Sequence, residues 1–70
     1  MNITLTNHAK YSLNKRKILE NELVDAVKYP DKIIKKYGKH FFEKTIHRGK
    51  IEAVCEKTER NIKVITVYWI

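Results

Sequence analysis

After Pro30 the chain reads DKIIKKY (31–37), HFFEKTIHR (40–48), KIEAVCEKT (50–58) and NIKVITVYWI (61–70). These blocks are rich in β-branched and aromatic residues and carry no 3.6-residue period. Gly38, Gly49 and the polar stretch Glu59–Asn61 separate them, so the spacing predicts four strands in an antiparallel meander. In KIEAVCEKT, Ile51, Ala53 and Cys55 share one face and Glu52 and Glu56 the other, the signature of a strand buried on one side. The last block differs, because Ile62, Val64, Ile65 and Val67 through Ile70 are apolar on both faces. Such a strand is expected in the middle of a sheet or beneath a partner, with a homodimer or other assembly burying Tyr68 or Trp69.

Upstream, Ile3-Thr4-Leu5 alternates like a short strand. Asn7 is then a suitable cap for a helix from about His8 to Arg16, with Ala9 and Leu13 as its core stripe and His8, Ser12 and Arg16 along its border. A second helix from about Glu20 to Tyr29 places Leu19, Leu23, Ala26 and Val27 on one face, and Pro30 stops it. Early Glu20 and Glu22 and late Lys28 complement the helix dipole. The expected architecture is α+β: β-α-α followed by an antiparallel β-meander, two helices on one face of the sheet and the other face open. Function would then sit on the open face or on the helix border.

Seventy residues make room for one domain, 1–70, and exclude doubly wound enzyme folds. A chain this short buries only about 60% of the surface exposed when unfolded. Twelve Lys and three Arg against eight acids give a net charge of +7, which favours a polyanionic partner, nucleic acid foremost. Residues 28–48 carry seven Lys/Arg against two acids, residues 49–70 four against three, so the middle third holds the basic patch. A single cysteine, Cys55, excludes an internal disulfide, and the absence of a signal-like or 18-residue apolar run points to the cytoplasm and away from the membrane. Cys55, His8, His40 and His47 lack the short paired spacings of structural zinc, so no metal or cofactor is expected.

TNHAKYSLNKRKI (6–18), ENELVDAVKYPDKI (20–33) and VITVYW (64–69) together resemble a family described as a domain of unknown function, number 4258. The residues that carry the resemblance are His8-Ala9, Ser12, Leu13, Arg16, Ile18 and Pro30. Ser12 departs from the more usual Arg, and Leu19 stands where a Ser or Thr cap is expected. The resemblance implies a RelE/ParE-type toxin fold, as in ribosome-dependent messenger-RNA endonucleases, and a small acidic antitoxin-like partner.

Metal-free RNA cleavage needs a base for the 2′-hydroxyl, a cation for the developing phosphorane charge and an acid for the leaving oxygen. His47, His8, Arg16 and Tyr68 are the candidates for these catalytic roles, and Lys35, Lys36, Lys39 and Arg48 for nucleic-acid binding. In a regular strand the alternation would put His47 and Arg48 on opposite faces. Tyr11, Tyr29, Tyr37, Phe41 and Phe42 interleave with lysines in a way that permits base stacking. Each candidate has a plain structural counterpart: His8 bonding the sheet edge, Arg16 pairing with Glu20, His47 as a surface residue and these aromatics as core. Two functions follow: a toxin-like endoribonuclease acting on messenger RNA at the ribosome, or a non-catalytic module of a toxin–antitoxin-type system that binds nucleic acid or protein.

Overall fold

The structure, a computed structural model, describes residues 2–70. Its elements are β1 (Asn2–Leu5), α1 (Asn7–Arg16), α2 (Glu20–Lys28), β2 (Lys32–Lys36), β3 (Lys39–Ile46), β4 (Gly49–Lys57) and β5 (Asn61–Trp69). The expected element order holds. The five strands form one sheet in the order β1-β5-β4-β3-β2. The meander β2 to β5 is antiparallel, whereas β1 lies parallel to β5, with Ile3 beside Ile62 and Leu5 beside Val64. The sheet is therefore mixed rather than antiparallel. Alternation in Ile3-Thr4-Leu5 marks a strand but carries no information on its direction of pairing. The two-sided apolar β5 takes an interior position, as its composition requires.

β1 is too short to cover the full edge of β5, and α1 takes over where it ends. Thr6 N donates to the Val64 carbonyl (3.1 Å), and Thr6 Oγ1 to that of Ile65 (3.1 Å). The same Thr6 oxygen accepts from Ala9 N at 3.0 Å. Thr6, not Asn7, is thus the cap of α1: its hydroxyl serves the helix and the strand edge together. Further along, Ser12 Oγ meets Thr66 Oγ1 at 3.0 Å, and Trp69 Nε1 donates to the Arg16 carbonyl at 2.7 Å.

α2 presents Leu23, Ala26 and Val27 to the sheet. Leu19 does not join that face; it is the N-cap and is 58% exposed. Its N–H donates to Glu22 Oε1 at 2.9 Å, so a glutamate at the third helical position supplies the capping that the leucine side chain cannot. The core is closed by Ala9, Leu13 and Ile18 above and by Phe42, Ile51, Ala53, Cys55, Ile62, Val64 and Val67 on the covered face of the sheet. Burial pushes the Cys55 thiol up to about 12, so it is an inert core group and not a nucleophile.

Candidate functional site

The β2–β3 connection is a two-residue hairpin, Tyr37-Gly38, in which both residues have positive φ (54° and 71°) between paired Lys36 and Lys39. This matches a type I′ turn. It projects Tyr37 into solvent at 84% exposure, with Lys36 Nζ 5.5 Å from the ring centroid. The three lysines singled out in this region do not act from one face. Lys36 and Lys39 are cross-strand neighbours on the open face, where Lys39 approaches Glu56 at 3.8 Å. Lys35 pairs with His40 on the other face, and the His40 ring stacks on the core residue Phe42 with centroids 6.2 Å apart.

His47 and Arg48 lie outside the strands, in the turn between β3 and β4. The alternation argument therefore does not govern them. Arg48 Nη2 reaches Glu22 Oε1 at 2.6 Å and the Lys17 carbonyl at 2.8 Å, and its guanidinium lies 5.3 Å from the Trp69 ring centroid. Arg48 is thereby committed to joining the turn to the α1–α2 junction. Its hydrogen bond, followed by that of Leu19 N–H, holds the Glu22 carboxyl below its ordinary value.

Trp69 brings the end of β5 to the last turn of α1, so Arg16 and His47 occupy the same end of the molecule. Among the described residues, neither side chain enters an ion pair or hydrogen bond with the rest of the chain. The ion pair of Arg16 with Glu20 does not form. His8 is eight residues up α1 from Arg16, about 12 Å along the axis. Its ring stacks on Tyr11 (6.3 Å) instead of bonding the sheet edge.

Tyr68 is on the open face, directly opposite Glu52, and its hydroxyl donates to Glu52 Oε1 at 2.6 Å. Burial, and then the bond to Glu52, pushes the Tyr68 hydroxyl up to about 12. Glu43, opposite Glu52 on β3, is held by Lys50 at 3.2 Å. The four catalytic candidates therefore divide: Arg16 and His47 share an end, Tyr68 stands next to Trp69 in β5 but on the open face, and His8 lies eight residues up α1 from Arg16.

The acid-free surroundings of Tyr11 on α1 went unread, although Tyr11 itself stands among the aromatics interleaved with lysines. This helix contains no acid; it carries Lys10, Lys15 and Arg16. Tyr11 is 56% exposed between His8 and Lys15, whose Nζ is 5.6 Å from the Tyr11 ring centroid. The available signal was the i, i+4 spacing of Tyr11 and Lys15 on an acid-free helix. A second feature also went unread: a groove of about 530 Å³ lined by Ile3, Tyr29, Pro30, Ile33, Phe42 and Ile62, with Lys28 and Lys57 at its rim.

The family model described as Domain of unknown function (DUF4258) matches residues 5–69. The chain belongs to the DUF4258 family. The matched span includes every candidate residue named above. A search of curated proteins and of solved structures finds no match. Nothing in the DUF4258 description names a reaction, so function rests on the geometry of these surfaces. Among the described residues, no helix is long and apolar enough to cross a membrane.

Proposed function

We propose that this DUF4258 protein is a single-stranded RNA-binding module of a toxin–antitoxin-type system, working in the cytoplasm. The β-α-α-β-β-β-β order supports reading the fold as RelE/ParE-like. The carrying observation is that two exposed tyrosines, Tyr11 and Tyr37, each hold a lysine ammonium against the ring, at 5.6 and 5.5 Å. A ring with a cation beside it offers a base a stacking surface and its phosphate a counter-charge.

The wider charge pattern agrees. Glu22, Asp31, Glu43 and Glu56 are occupied by partners within the chain. Lys10, Lys15, Arg16, Lys35, Lys36 and Lys57 enter no ion pair among the described residues. Glu20, Asp25 and Glu59 are likewise unpaired among the described residues, so free cations outnumber free acids on the surface.

Anisotropy of a labelled single-stranded RNA tests the proposal. Tyr11→Ala and Tyr37→Ala should each weaken binding about tenfold, since one stacked base is worth roughly 1–3 kcal/mol. Joint replacement of Lys36 and Lys39, which share a face beside Tyr37, by Ala should flatten the log–log salt slope by about 1.4 units. Tyrosine variants that bind like the wild type would overturn the proposal.

Cleavage is the second reading, favoured by one observation: Arg16, whose carbonyl accepts from Trp69, and His47, next to the Arg48 that stacks on Trp69, lie at the same end. A cation and an imidazole there could serve a phosphorane and a 2′-hydroxyl. Loss of cut product from messenger RNA in His47→Ala, with RNA binding intact, would establish it.

A further inference from the structure

The outer edge of β2 is unpaired: in the strand order it ends the sheet, with β3 its neighbour on one side and, among the described residues, no strand on the other. Four of its five residues, Lys32, Ile33, Lys35 and Lys36, are exposed. Neither helix shields this edge. Ile33 is 54% exposed, and it forms one wall of the 530 Å³ groove with Tyr29, Phe42 and Ile62. On the opposite face Ile34, Lys36, Phe41 and Glu52, whose carboxylate accepts from the Tyr68 hydroxyl, line a smaller hollow of about 130 Å³.

From this edge we infer a docking site for an acidic, extended peptide segment of a partner protein, which adds a sixth strand alongside β2. A bare strand edge offers main-chain donors and acceptors in register, and side-chain recesses on the two faces select what lies opposite. The sequence KIIKK sets the complement: acids beside Lys32, Lys35 and Lys36, and apolar residues beside Ile33 and Ile34, one entering the groove and one the hollow. Lys28 and Lys57 at the groove rim add to the preference for acids. The nearby acids of the chain are already engaged, Asp31 with Thr45 N–H and Lys44, Glu43 with Lys50.

A second copy of the chain does not fit. Pairing β2 with β2 sets lysine against lysine, the arrangement by which natural edge strands resist self-association. RNA would satisfy the lysines but would leave the amide row and the apolar groove unfilled. The site shares its β2 lysines with the RNA surface around Tyr37, while Tyr11 and α1 have no part in it, so Ile33 and the bare strand edge distinguish the two readings.

The probe is a labelled synthetic peptide with the order acid–apolar–apolar–acid–acid, capped at both ends, titrated into the full chain. Saturable binding is expected, with amide shifts and slowed exchange along Lys32–Lys36. A scrambled peptide of equal charge, and one N-methylated at alternate residues in either phase, should each bind at least about tenfold more weakly. Ile33→Asp should abolish binding while RNA binding persists; Ile33 is exposed, so that variant still folds. No saturation by about 1 mM peptide, equal binding of the scrambled peptide, or shifts confined to α1 would each overturn the inference.

Discussion

Arg48 and Trp69 face each other at one end of the sheet, guanidinium carbon to ring centroid 5.3 Å, while the same guanidinium closes on Glu22 at 2.6 Å and on the Lys17 carbonyl at 2.8 Å. Three segments distant in sequence meet on one side chain. Lys17 ends α1 in the left-handed region (φ 58°), and a cation beside its carbonyl complements the negative end of the helix dipole.

Arg48→Ala should therefore lower stability by about 1–2 kcal/mol, more than an isolated surface ion pair, and Arg48→Lys should recover only part because a point charge cannot fork. Urea unfolding measures both. The pH dependence follows from Glu22, whose carboxyl is held below its ordinary 4.5 mainly by Arg48. A lowered folded value means stabilisation present above 4.5 and lost as pH falls through the folded value. The acid slope of Arg48→Ala should be shallower than that of the wild type.

At Gly49 the backbone has φ +146°, and a Cβ there would come within 3.2 Å of the Trp69 ring. Gly49→Ala combines a strained backbone with a clash against a packed indole, so a loss of about 2 kcal/mol is expected in thermal unfolding. Trp69 itself packs against its own chain, on the helix side of the sheet. Trp69→Ser should accordingly cost about 3 kcal/mol of stability, read by urea unfolding. Sedimentation at matched concentration should show no difference from the wild type, and a change of assembly state would contradict this placement.

Ser12 is fully buried, and its hydroxyl is shared with Thr66 at 3.0 Å. Ser12→Ala leaves the Thr66 hydroxyl without its partner, with an expected cost of about 1–2 kcal/mol; adding Thr66→Val removes both polar groups and should cost less than the two single changes together. Chemical denaturation of the four proteins measures the coupling. An additive result would show that the hydroxyls do not interact.

β4 was legible because it shows its burial in its own residues: Ile51, Ala53 and Cys55 are all fully buried. Helix ends were less so. Thr6 and Asn7 are both good caps, and only the position of the β5 edge makes Thr6 the better one. The parallel pairing of β1 left no mark, since Asn2–Leu5 would alternate in the same way beside an antiparallel neighbour. Of the site, lysine-rich β2 stood out in composition, but which lysines share a face depends on the hairpin register. His47 and Arg48 were misread because strand alternation was carried two residues past Ile46, where the chain turns.

Tyr68 supplies the last prediction. Its hydroxyl is raised to about 12 from an ordinary 10.0, by burial first and then by the hydrogen bond to Glu52. A phenol whose folded value lies above its unfolded one stabilises the fold fully below 10 and loses that contribution as pH rises towards the folded value, because the unfolded chain gives up the proton first. The wild type should thus lose stability between pH 10 and about 12 by more than Tyr68→Phe does. At neutral pH, Tyr68→Phe should itself lose about 1 kcal/mol, as Glu52 is left without its donor on a half-buried face. The readout is the urea midpoint of both proteins at a series of alkaline pH values. If the two curves fall in parallel above pH 10, the alkaline loss belongs to other groups and Tyr68 ionises as freely folded as unfolded. If they diverge, Tyr68 keeps its proton throughout the physiological range and can act there only as a hydrogen-bond donor, not as a base.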